Sequence, residues 1–196
     1  MEFVEKFLES SCDAIEVDVR RSDRGVLYLS HDWTPETEDA VTLEEVFVRA
    51  ADSTVKVNVD LKEENLEKEA FQLAEQYQVK DRIILSGTVS LSNLTQKEIE
   101  QHLFYNIELR FPDLYQTQQF GEKDLAELIE FCQQHGITVI NAQYAFCQPR
   151  IIQALRNHGI HLSAWTVNDR KVIKELFDQG IYNVTSKRTL HYLKGS

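Results

Sequence analysis

No apolar run in this 196-residue chain approaches the roughly 18 residues that a membrane-crossing helix needs. This excludes an integral helical membrane segment. Cysteine is scarce: Cys12, Cys132 and Cys147 are odd in number and form no CxxC. A disulfide framework is therefore not expected, and the three read as reduced, packed thiols of a cytoplasmic protein. Basic residues are outnumbered, 21 against 32 acidic, for a formal net charge of −11. Such a surface argues against nucleic acid or an anionic membrane as partner. A small phosphate-bearing substrate stays open, because a metal or a few local cations can reverse the field in one pocket. No GxGxxG or Walker-type loop occurs, which counts against a nucleotide-binding open sheet. No basic region precedes the apolar residues of MEFVEKFLESS, so the N-terminus reads as an amphipathic helix and not a signal peptide. Low-complexity stretches and linkers are absent, and residues 1–196 are expected to form one domain.

What the chain does have is an alternation. Seven β-branched runs read as strands: AIEVDV (14–19), VKVNVDL (55–61), RIILS (82–86), LFYNIEL (103–109), ITVINA (137–142), HLSAWT (161–166) and IYNVTS (181–186). GVLYLSH reads as a hairpin partner of the first. Helical patterns lie between the runs, including TLEEVFVRAA and EENLEKEAFQLAEQY. Thr95 and Glu98 have capping-box spacing, Pro149 suits a first helical turn, and Gly136, Gly159 and Gly180 sit where helices should stop. Strands alternating with helices imply parallel βαβ units. The expected fold is a TIM-type (β/α)₈ barrel with its first strand missing, since seven strands are read and the chain opens with a helix.

In such a barrel the site lies at the C-terminal ends of the strands, where polar residues gather here. Glu16 and Asp18 end the first run. The second carries Asn58 and Asp60 with Lys62 just beyond, the fourth ends with Glu108 and Arg110, the fifth with Asn141 and Gln143, and the sixth with Trp165. Spacing of i, i+2 turns each set to one face. Two bare carboxylates side by side repel each other and resist desolvation. A divalent cation removes both problems, with Asp60 as third ligand, and oxygen donors alone suit Mg²⁺ or Ca²⁺. An alternating Glu-x-Asp strand is also what a solvated edge looks like. His31 has the intrinsic pKa of a general acid, although a lone histidine is as readily structural. Lys62 could meet a phosphate or lie on the surface. Trp165 could wall a pocket or fill the core.

The segments IEVDVRRSDRGVLYLSHD, TLEEVF, VNVDLK and AWTVND, in that order, resemble the glycerophosphodiester phosphodiesterase family. The resemblance implies a (β/α)₈ barrel that hydrolyses glycerophosphodiesters to glycerol 3-phosphate and an alcohol with a divalent metal. It makes Glu16, Asp18 and Asp60 metal ligands, with Asp60 standing where the family usually has Glu. It makes Lys62 a phosphate contact, His31 one of two catalytic histidines, and Trp165 an aromatic on the glycerol side of the substrate. The family's other histidine lies in a His-Arg-Gly motif at the end of the first strand, and no His-Arg-Gly occurs in this sequence. The absent motif and the absent strand are one gap, expected of a domain truncated at its N-terminus. Two further functions stay open. One is a non-catalytic relative that binds phosphate or polyol phosphates. The other is an unrelated metal-dependent sugar-phosphate barrel. Oligomeric state is not legible in the sequence.

Overall fold

The computed structural model describes residues 2–8, 10–34, 39–114 and 120–193. They form two compact units, Met1–Leu94 with Thr189–Ser196, and Thr95–Arg188.

The first unit opens with helix α1 (Glu2–Leu8) and strand β1 (Ala14–Arg21). Ile15, Val17 and Val19 of β1 are buried, while Glu16, Asp18 and Arg20 between them are half-buried. This alternation follows from the two-residue repeat of a strand. The expected hairpin forms: Gly25 takes a left-handed φ of 79°, and its N–H donates to the Ser22 carbonyl at 2.9 Å. The chain returns as β2 (Leu27–Leu29), antiparallel to β1 with Arg20 opposite Tyr28. Thr42 and Glu45 then close a capping box at the start of helix α2 (Leu43–Ala50). Strand β3 (Lys56–Leu61) runs parallel to β1, in a register that sets Glu16 opposite Asn58 and Asp18 opposite Asp60. Helix α3 (Glu67–Gln76) leads to β4 (Ile83–Gly87), parallel to β3. The sheet order is β2-β1-β3-β4. Its apolar side chains and those of Leu43, Val46, Phe47, Ala70, Phe71 and Ala74 make the core of this unit.

The second unit contains α4 (Gln96–His102), β5 (Tyr105–Asn106), α5 (Glu122–His135), β6 (Val139–Gln143), α6 (Pro149–Asn157), β7 (His161–Trp165), α7 (Arg170–Asp178) and β8 (Asn183–Val184). Its four strands are parallel in the order β5-β6-β7-β8. The expected punctuation holds. Thr95 and Glu98 form a capping box, Pro149 is the first residue of α6, and Gly136 ends α5 in the left-handed region at φ 68°. The last helix, α8 (Thr189–Leu193), belongs to the first unit.

Among the described residues seven strands, β1 and β3 to β8, run in parallel ladders, with β2 as the hairpin addition. Two expected strands need correction: the run 181–186 pairs only at Asn183–Val184, and a second is shortened at its end. The run 103–109 gives only the two residues of β5, and Ile107–Leu109 form a 3-10 turn. The Asn106 amide donates to Glu108 Oε1 at 3.0 Å, and the Arg110 N–H turns back to the Ile107 carbonyl. Glu108 and Arg110 are thus not a pair at a strand end. Arg110 instead forms an ion pair with Glu127 and lies over the rings of Phe111 and Phe131.

Candidate metal and phosphate site

The parallel register of β1 and β3 brings Glu16, Asp18 and Asp60 together. One carboxylate oxygen from each lies within 4.8 Å of the others. Each carboxylate is held differently. Glu16 Oε2 accepts from the Asn58 amide at 3.0 Å, and Asn58 Oδ1 accepts from the buried Ser86 hydroxyl at 3.0 Å. The Lys62 ammonium donates to Asp60 Oδ2 at 2.7 Å and stands 2.9 Å from Asp18 Oδ1. Asp60 Oδ1 is buried with no hydrogen-bond partner among the described residues.

Asp60 is packed against the end of β4. A Cβ on Gly87 would lie 2.1 Å from Asp60 Oδ1 and 2.3 Å from the Leu61 carbonyl oxygen, so only glycine admits this approach. Gly87 also has φ 80°, a region that side-chain-bearing residues avoid. Burial pushes the Asp60 carboxyl above its ordinary range. Lys62 opposes that shift, and the neighbouring Asp18 charge adds to it. For Lys62, burial pulls downward, but its bonds to Asp60 and Asp18 outweigh it and the net shift is upward.

These residues fit a hard divalent cation. Oxygens that ligate one Mg²⁺ or Ca²⁺ lie at most about 4–5 Å apart, and the three carboxylates come within that span. The lone Asp60 Oδ1 supplies a donor with nothing else to bind. Nitrogen and sulfur ligands, which would favour zinc, are absent from the described cluster.

His31 stands outside this cluster, in the segment after β2. The Ser30 N–H donates to the Asp18 carbonyl at 3.0 Å, which ties that segment to β1 one residue before His31. The His31 side chain is 72% exposed, and its Nδ1 lies 3.0 Å from Asp32 Oδ1. Trp165 ends β7 in the second unit and is half-buried. Asn141 is buried in β6 and donates to Asn106 at 2.9 Å.

Sequence reasoning missed three contributors. Arg20 continues the i, i+2 row of Glu16 and Asp18, and that spacing could have found it. Its Nε and Nη2 donate to the His31 carbonyl at 3.1 and 3.0 Å, and its Nη1 meets Glu63 at 3.2 Å. Ser86, the end of the run read as RIILS, and Gly87 just after it carry no signal of their own.

The family model of the glycerophosphoryl diester phosphodiesterases matches residues 34–189. The chain belongs to that family. The match takes in Asp60, Lys62 and Trp165, while Glu16, Asp18 and His31 precede it. No protein of curated function matches the sequence. Solved structures agree with the family. A glycerophosphodiester phosphodiesterase from Thermotoga maritima has a TM-score of 0.73 at 19% identity, over 100% of this chain and 90% of its own. A phosphodiesterase from Oleispira antarctica, in complex with the product sn-glycerol-3-phosphate, has a TM-score of 0.71 at 16% identity, over 98% and 89%. A glycerophosphodiester phosphodiesterase from Agrobacterium tumefaciens has 0.66 at 18%, over 94% and 87%. The family member described here therefore has their α/β, TIM-barrel-like fold. Among the described residues its ladders form two four-stranded sheets.

Proposed function

We propose that this chain hydrolyses glycerophosphodiesters to glycerol 3-phosphate and an alcohol, with a divalent metal. The observation that carries this reading is the convergence of Glu16, Asp18 and Asp60, with the Lys62 ammonium between the last two. Family membership and the product held by the Oleispira antarctica relative support it.

Glu16, Asp18 and Asp60 would hold the metal. When bound, it supplies Lewis-acid polarisation of a phosphate oxygen. Asn58 keeps Glu16 aimed, and Ser86 keeps Asn58 aimed, so one ligand is oriented by a buried relay. Lys62 would set its ammonium toward the phosphate, where negative charge grows in the transition state. His31 works as general acid or base. Asp32 fixes its Nδ1 side and leaves Nε2 to exchange the proton with the substrate.

The whole chain acts as one such domain in this reading, because the family match spans residues of both compact units. A second reading has a specific basis. The sequence holds no His-Arg-Gly, so a protein that binds the metal and a phosphate without turnover is the alternative.

The test is release of glycerol 3-phosphate from glycerophosphocholine and glycerophosphoethanolamine, with Mg²⁺, with Ca²⁺ and with a chelator. Metal-dependent release that is lost in His31→Ala supports hydrolysis. Metal and phosphate binding without release moves the reading to the binding protein. Metal binding retained in Glu16→Gln/Asp18→Asn sinks the site itself.

A further inference from the structure

Arg20 lies on the same face of β1 as Glu16 and Asp18, one strand repeat beyond them. Its guanidinium makes no hydrogen bond to a metal-site carboxylate among those described. Two of its N–H groups converge instead on one backbone oxygen, the His31 carbonyl, at 3.1 and 3.0 Å. Its third contact is Glu63 at 3.2 Å, the residue that follows Lys62. The Arg20 and Glu63 side chains are only 18% and 27% exposed. One cation thus joins the segment that carries His31 to the strand end that carries Asp60 and Lys62.

We infer that Arg20 is the positioning residue for His31. This inference rests on the hydrolase reading above for its purpose, but not for its test. His31 needs such a device. Its side chain is 72% exposed, and its ring meets the neighbouring Asp32, which is 92% exposed and moves with it. Solvent does not hold an exposed imidazole in a reactive position. The backbone must, and Arg20 holds the backbone. The planar fork of a guanidinium can grip an oxygen with two donors while a third faces a carboxylate. A lysine can make either contact but not all three in this geometry. The Ser30 N–H bond to the Asp18 carbonyl is a second, weaker tether on the same segment, so loss of Arg20 should loosen it without releasing it.

The peptide group that Arg20 grips contains the Asp32 N–H, which makes that amide the direct reporter. Two charge-assisted bonds to its carbonyl polarise the group and shift the amide resonance. In ¹⁵N-labelled full-length chain, Arg20→Ala should move the Asp32 resonance and lower its heteronuclear NOE. Arg20→Lys should do so in part, and Glu63→Gln in the same direction. Amides of the second unit, and Mg²⁺ affinity by calorimetry, should stay within about twofold, since Arg20 touches none of the three carboxylates. In the hydrolysis assay, Arg20→Lys and Glu63→Gln should lower kcat by about 10- to 100-fold with KM changed less than about twofold, the mark of a misplaced group and not of lost binding. Adding Glu63→Gln to Arg20→Ala should cost no more than Arg20→Ala alone.

An Asp32 amide unmoved in both Arg20→Lys and Glu63→Gln would overturn the inference, as would KM rising while kcat holds. Wild-type chain that binds metal but releases no product would count against the hydrolase reading alone. The Asp32 amide would still decide the clamp. If Arg20→Ala does not fold, the Lys and Gln variants carry the same test.

Discussion

Replacing Lys62 by Met isolates the central electrostatic claim. Without metal, Lys62 is the counter-charge of both Asp18 and Asp60, at 2.9 and 2.7 Å. Removing one member of a fully buried pair costs about 3–5 kcal/mol, because the other charge is left desolvated and alone. Here the side chains are 21% and 16% exposed, so water takes up part of the loss and about 2 kcal/mol is expected. For a chain of this size that lowers Tm by about 4–8 °C. The metal should narrow the difference. A cation held by Glu16, Asp18 and Asp60 replaces the lost charge, and at about 100 times its Kd it stabilises by about 2.7 kcal/mol. Wild type should gain less, since there the ion must first displace the Lys62 ammonium. Thermal melts of both proteins in chelator and across a Mg²⁺ and Ca²⁺ series read all of this. A Lys62→Met chain as stable as wild type in chelator, or one whose Tm ignores saturating metal, would refute the reasoning.

Gly87→Ala forces a Cβ to within 2.1 Å of Asp60 Oδ1 at a positive φ. It should cost more than about 1 kcal/mol and abolish metal binding, as calorimetry and melting can show. Glu67 is fully buried and accepts from the Ser90 N–H at 2.6 Å and the Asn93 amide at 3.0 Å. Glu67→Ala should therefore destabilise by about 2–4 kcal/mol and speed hydrogen exchange at Ser90; unchanged exchange would refute the tie. Burial pushes the Cys132 and Cys147 thiols up to about 12, while Cys12 is only half-buried. At pH 8 a thiol reagent should label Cys12 alone in the native chain and all three in denaturant; fast native labelling of a second thiol would contradict that packing. Burial likewise raises Tyr105 to about 12 from an ordinary 10.0. A raised acid favours the folded state below its unfolded value, and that contribution is lost as pH rises through the folded one. Stability should thus fall between about pH 10 and 12, less steeply in Tyr105→Phe, with Tyr105 ionising late by ultraviolet titration.

Much of this protein was legible before its fold was. Period-two burial in AIEVDV, the capping box at Thr95, the stop at Gly136 and the start at Pro149 are local rules, and local rules can be read from sequence. The i, i+2 spacing likewise put Glu16 with Asp18, and Asp60 with Lys62, on single strand faces. What spacing cannot supply is register between strands. Only the ladder setting Asp18 opposite Asp60 makes three carboxylates one cluster and places Lys62 between two of them. The run 103–109 misled because its apolar pattern is also that of a short strand followed by a tight turn. The Asn106–Glu108 hydrogen bond and the Arg110–Glu127 pair decided for the turn. Ser86 and Gly87 looked like the end of an ordinary strand. They matter because a neighbouring strand brings Asn58 to one and Asp60 against the other. The sequence by itself determined the elements, the charge and the ligand chemistry, since those depend on neighbours along the chain. The tertiary structure alone decided that Asp60 Oδ1 lacks a hydrogen-bond partner among the described residues, which glycine cannot change and what holds His31, because each depends on atoms that meet only across the sheet.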